Sequence, residues 1–243
     1  MRLLGLADAL HDEGLAVVEI DGWKARGSAS FNPRGTVNHH TAGAARGDHP
    51  SLNVCINGRA GIPGPLCHTL RGRNGVFYVI ASGRANHAGT GGWNGLSGNS
   101  SVVGLELEHV GTSAEPVTAQ LIEDAERWHA AVLRLIGAPA SMACQHREWA
   151  PRRKIDAYGF DGPTFRRHIA VLLAQQSHRP SPPTDGELDM TEDDLRRIVA
   201  EEINRALAAL VKVIDSEGAE RDQFVAKWTK AMSDLTVERV QGD

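Results

Sequence analysis

The chain has 243 residues, 41% of them hydrophobic and 23% charged, which excludes wholesale disorder and fibrous repeats and suits one to two domains. No apolar run approaches the roughly 18 residues that span a bilayer, and a net charge of −4 leaves no nucleic-acid footprint. The start, Met1 to Asp8, turns acidic too early for a secretory signal, so the expectation is a protein made in the cytosol.

In chain order, residues 3–10 read as a short helix and 16–20 as a strand. Residues 35–41 predict a strand that runs into an Ala/Gly loop. Two runs, 67–71 and 76–80, flank Arg73-Asn74-Gly75, and Asn-Gly in that setting signals a hairpin. Residues 102–110 predict another strand, with Leu105 and Leu107 alternating against Glu106 and Glu108. Thr118 can cap a long helix whose stripe is Leu121, Ile122, Ala125, Trp128, Val132 and Ile136, ended by Gly137. Pro163 suits the first turn of a further helix that carries Phe165, Ile169, Leu172 and Leu173. The fold class expected is α/β (α+β), with a mixed central β-sheet flanked by helices.

Residues 177–187 hold Pro180, Pro182 and Pro183 and read as an extended linker. It separates a first domain, 1–176, from a helical region, 188–243. Charge changes there: residues 187–243 carry 14 acidic and 8 basic side chains. Two amphipathic stripes, broken at Gly218, predict a helical hairpin. Two helices bury too little surface to stand alone, so the pair should pack on the first domain, a second copy or a target.

All eleven histidines lie at or before His178, so any imidazole chemistry belongs to the first three quarters of the chain. Cys55, Cys67 and Cys144 are odd in number and lack CxxC spacing, which argues against a disulfide framework or a cysteine-rich metal module. The candidate constellation is His39, His146 and Asp156. Imidazole nitrogen and carboxylate oxygen suit zinc, and three protein ligands leave a fourth position for water. His39 and His40 are adjacent in an extended run, so at most one of them faces a given site. Periodicity leaves open which one.

At these residues the sequence resembles a known family. Val37-Asn38-His39-His40-Thr41-Ala42-Gly43 is similar to the "VxHHTAG" strand of zinc-dependent N-acetylmuramoyl-L-alanine amidases, the fold shared with peptidoglycan recognition proteins. Cys67-His68-Thr69-Leu70-Arg71-Gly72-Arg73-Asn74-Gly75 resembles that family's "xHxLIxRDG" hairpin, and Arg84-Ala85-Asn86-His87-Ala88-Gly89 its "xxxHAG" turn. Val103-Gly104-Leu105-Glu106-Leu107-Glu108 matches "IGIELEG", and the stretch from Gln145 to Asp156 matches "GHRDxAPxRKxDP". Five motifs in the right order cover residues 37–156. The stretch 22–35 looks especially like the amidase endolysins of actinobacterial phages.

The resemblance implies His39, His146 and Asp156 as ligands of a Zn2+ cofactor. It implies Glu106 as the general base and Lys154 as the cation that stabilises the tetrahedral oxyanion. His68 and His87 would touch substrate, and Trp93 would sit at the tip of a flexible loop along the stem-peptide groove. Glu108 falls on the same face as Glu106 and reads as a solvated strand residue. Two positions depart from the pattern. Cys67 stands where relatives lacking the strand glutamate place a catalytic tyrosine, which favours Glu106 as the base. Asp156-Ala157 replaces Asp-Pro, which should leave the ligand loop less rigid.

The function expected is hydrolysis of the amide between N-acetylmuramic acid and L-alanine of peptidoglycan, by a phage endolysin held in the host cytoplasm until lysis and then acting on the cell wall. The alternatives are a non-catalytic peptidoglycan-binding module, or a bacterial amidase that recycles muropeptides. Peptidoglycan is the expected partner, with no nucleic acid and no membrane insertion. The C-terminal helices read as a wall-targeting module or a homo-oligomerisation element, and their net charge of −6 favours the latter.

Overall fold

The structure, a computed structural model, describes residues 1–176. The expected linker at 177–187 and helical region at 188–243 lie outside the described residues. Among those described, no helix is long and apolar enough to cross a membrane.

The chain begins with α1 (Leu6–Asp12) and β1 (Val17–Glu19), then β2 (Gly35–His40) and α2 (Leu52–Asn57). A small ribbon, β3 (Gly58–Arg59) with β4 (Ile62–Pro63), precedes the hairpin of β5 (Thr69–Arg71) and β6 (Phe77–Val79). A second ribbon, β7 (Gly92–Trp93) with β8 (Leu96–Ser97), leads through a 3-10 turn at Asn99–Ser101 into β9 (Val102–Leu107). The long helix α3 (Ala119–Leu135) is followed by β10 (Ala143–Gln145), the short α4 (His146–Trp149) and α5 (Gly162–Gln176).

Six strands form one mixed sheet in the order β1-β6-β5-β9-β2-β10. Only the β5–β6 hairpin is antiparallel; every other neighbouring pair in this sheet runs parallel. β2 and β9 are buried along nearly their whole length, β9 largely with apolar side chains and β2 with Thr36, Asn38 and His39 among its buried residues. The mixed sheet flanked by helices is as expected, and so is the Asn-Gly hairpin. Gly75 closes the turn at φ 80, a conformation that glycine adopts without penalty.

One face of the sheet carries the main core. Val103, Leu105 and Leu107 of β9 pack there with Leu6 and Leu10 of α1, Trp128 and Val132 of α3, and Phe165 and Ile169 of α5. Thr118 caps α3 as expected, its side chain accepting from the Leu121 amide. The opposite face is divided. Val37, Val102, Cys144 and Trp149 form one apolar cluster, and Cys55, Cys67, Leu70 and Ile80 form another. The polar site lies on this second face, where β2 and β9 present their alternate residues.

A buried ion pair ties the hairpin to the helical layer. Arg71 Nε and Nη2 donate to Asp124 Oδ2 at 3.0 and 2.6 Å, and Gln120 donates to the other carboxylate oxygen at 2.7 Å. Removing one partner of such a pair leaves an uncompensated buried charge. Arg71→Met is therefore expected to cost about 3–5 kcal/mol, read as a lower urea midpoint at unchanged m. Arg71→Met with Asp124→Leu should recover most of that loss.

Candidate active site

The site grows from the register of two parallel strands. His39 of β2 lies directly beside Glu106 of β9, so both side chains leave the sheet on the same face. Both sit near the carboxyl ends of their strands, where open α/β sheets place ligand sites. His40, one residue on, turns away; its Nδ1 accepts from the Tyr158 amide at 2.9 Å.

His146 enters from β10. Gln145 caps α4, and Glu148 reaches back to the Gln145 amide at 2.8 Å, which fixes His146 at the first position of the helix. Arg166 then clamps Glu148 with two bonds of 2.9 and 3.0 Å. Asp156 arrives on the loop that follows α4. That loop lacks the proline of the family pattern, but Arg147 pins it: its amide donates to Asp156 O, and its guanidinium to Ala157 O and Phe160 O.

These three residues converge. His39 Nδ1 and His146 Nδ1 lie 2.8 Å apart, and Asp156 Oδ2 lies 3.2 and 2.8 Å from them. All three are buried, and they form the group of side chains that could hold a metal ion. The outer nitrogens fix the tautomers. His146 Nε2 faces Ala88 O at 3.0 Å, and a carbonyl can only accept, so this nitrogen carries the hydrogen. His87 Nε2 likewise donates to Val102 O at 3.1 Å, which leaves His87 Nδ1 to accept from His39 Nε2 at 2.9 Å. Both Nδ1 atoms therefore bring bare lone pairs to the centre, beside a carboxylate oxygen. Three acceptors this close repel one another unless a cation lies between them. Tetrahedral zinc, with bonds of about 2.0 Å, would set its ligands about 3.3 Å apart, against 3.2 Å for one pair and 2.8 Å for the other two. The donor set fits such an ion.

The electrostatics agree. Burial, then His146, lowers the His39 pKa to about 4, so its ring is neutral at neutral pH. Glu106 behaves oppositely. Burial, with Cys55 and Asp156 adding, pushes its carboxyl well above the ordinary range, while Lys154 opposes. Its Oε2 is shielded and has no hydrogen-bond partner. Lys154, half-buried two residues before Asp156, is close enough to act on both Glu106 and His39.

Four other side chains singled out in the sequence are held by contacts within the protein. His68 is fully buried, its Nδ1 accepting from the Gly104 amide at 2.9 Å and its ring stacked on Phe31, while its Nε2 has no hydrogen-bond partner. His87 places both ring nitrogens on protein partners, His39 Nε2 and Val102 O. A Cβ on Gly104 would stand 2.4 Å from the His87 ring, so the residue beneath it must be glycine. Trp93 is no free tip: its indole donates to Ser141 O at 2.8 Å and lies under the Arg166 guanidinium. Glu108 is not solvated. It is 1% exposed and accepts from Thr41 Oγ1, Ser51 Oγ and the Ser51 amide at 2.8–3.0 Å, which holds the loop after β2.

The family model described as N-acetylmuramoyl-L-alanine amidase matches residues 29–159. Among solved structures, the hydrolase AmiA of Staphylococcus aureus, in complex with its ligand, is similar at a TM-score of 0.50 and 12% identity, over 74% of this chain and 95% of that one. A selenomethionine derivative of AmpD is similar at 0.49 and 22%, over 64% and 93%. The endolysin amidase LysCS of Clostridium intestinale reaches 0.45 and 21%, over 65% and 95%. No curated protein matches this chain significantly.

Proposed function

From its membership of the N-acetylmuramoyl-L-alanine amidase family, to which this chain belongs, we propose that the protein is a zinc-dependent peptidoglycan amidase. The observation that carries the reading is the convergence of His39, His146 and Asp156 beside Glu106, whose shielded Oε2 has no hydrogen-bond partner. Held by those three residues, zinc would lower the pKa of a water molecule towards neutrality and polarise the scissile carbonyl.

The chain's own groups do the rest. Glu106 takes a proton from the attacking water and later gives it to the nitrogen of L-alanine as the amide C–N bond breaks. The hydroxyl remains on the lactyl carbonyl carbon of N-acetylmuramic acid, so atoms balance without a further reactant. The Lys154 ammonium is available to the oxyanion formed at the carbonyl oxygen. His87 and the Ala88 carbonyl hold the two imidazoles so that each presents Nδ1. The endolysin role, in which the enzyme opens a host wall at lysis, is supported by the resemblance of residues 22–35 to actinobacterial phage amidases.

The test is direct. Full-length protein incubated with actinobacterial peptidoglycan should release new N-terminal alanine. Chelator should stop the release, and added Zn2+ should restore it. Absence of release from chelator-free, zinc-loaded protein would indicate a binding module instead, and release that ignores both chelator and Glu106→Ala would refute the mechanism.

A further inference from the structure

Both metal-site histidines lean on one three-residue turn, and that turn hangs from a single side chain. Asn99 Oδ1 accepts from the amides of His87, Ala88 and Gly89 at 3.2, 2.8 and 3.1 Å. From the same turn, the His87 ring receives the Nε2 hydrogen of His39, and the Ala88 carbonyl receives that of His146. His39 lies on β2 and His146 directly follows β10, its parallel neighbour, and the two are 107 residues apart in sequence. Two consecutive residues, His87 and Ala88, thus supply the partners of both outer nitrogens.

We propose that Asn99 is a positioning residue for the metal centre: by gathering three amides on one oxygen, it fixes the turn that sets the tautomer and aim of His39 and His146. Three further features fit this role. Asn99 opens the 3-10 turn that feeds directly into β9, so the strand carrying Glu106 and the turn carrying the imidazole supports share one anchor. His87 closes the loop back onto β9 through Val102 O. Arg153 Nη2 donates to Ala88 O at 3.0 Å and to Thr90 O at 2.7 Å, bracing the turn from its outer side. Without the Asn99 oxygen, three amides at 87–89 lose their acceptor, and the turn would rotate to recover hydrogen bonds elsewhere. Rotation moves the Ala88 carbonyl and the His87 ring together, so both imidazoles lose their orientation at once.

The inference rests on the zinc reading above but makes a separate claim, tested without catalysis. The full chain and its Asn99→Ala and Asn99→Asp variants are loaded with Zn2+, and transfer to a chromogenic chelator is timed, with the melting temperature of each metal-free form recorded alongside. Asn99→Ala should release Zn2+ roughly 10–100-fold faster, the range seen when outer supports of metal ligands are removed. Asn99→Asp keeps an acceptor oxygen in place and should stay within about threefold of the parent. Asn99→Ser, whose oxygen is withdrawn from the amides, repeats the test should the alanine variant fail to fold. Equal release from Asn99→Ala and the parent would overturn the proposal, as would an Asn99→Asp variant as leaky as Asn99→Ala. A parent that takes up no Zn2+ would overturn the zinc reading itself, and is distinguishable from either outcome.

Discussion

Glu106→Gln is expected to lower kcat by about 10²–10⁴, the usual loss when a positioned general base is removed, while making the metal-free protein more stable at neutral pH. The two effects share a cause. Glutamine fills the same space and can still hydrogen-bond, but it cannot accept a proton from water. The stability gain follows from the raised pKa of Glu106, set first by burial. Between the ordinary glutamate pKa, about 4.3, and the raised native value, the folded chain binds a proton that the unfolded chain has released. Stability therefore falls as pH rises through that window. Glutamine carries no charge at any pH and escapes the loss.

Melting temperatures of the chelated parent and Glu106→Gln should thus coincide near pH 4 and separate as pH rises, with the variant higher. A pH-independent gap would mean that Glu106 is not the titrating group. A full-activity Glu106→Gln enzyme would remove it from the mechanism altogether. The combination matters because a purely structural glutamate would be expected to lose stability on substitution, whereas a base held against its solvation preference gains it.

Much of the site is legible in the amino-acid sequence. The motif histidines and Asp156 converge as their family pattern implies, and the alternation in residues 102–110 puts Glu106 and Glu108 on one face and Leu105 and Leu107 on the other. Alternation gives the face of a strand, not what covers that face. Charged alternation is usually solvated, which points Glu108 towards water, yet the loop at Thr41–Gly43 and the start of α2 fold over it. The same gap applies to His68 and His87: motif position puts each near the metal residues, but not the packing of Phe31 on His68 or the carbonyl of Val102 on His87. Asn99 carries no signal of its own. Its importance lies in three backbone amides ten to twelve residues away, and backbone partners leave no trace in side-chain pattern.

Lys154→Met should lower kcat by about 10²–10³, the range for losing one oxyanion donor, with KM little changed, because the charge it answers exists only as the carbonyl is attacked. A second consequence separates this role from simple surface charge. Lys154 holds the Glu106 pKa down against burial, Cys55 and Asp156. Without that cation, the carboxyl binds its proton more tightly. The acid limb of kcat/KM, which marks loss of the ionised base, should therefore move to higher pH in Lys154→Met and stay in place in Lys154→Arg. Chemistry and proton affinity are here read from one substitution. A drop in kcat with an unmoved acid limb would leave Lys154 at the oxyanion but uncouple it from Glu106. An upward shift with undiminished kcat at high pH would do the reverse, and reduce its role to tuning the base.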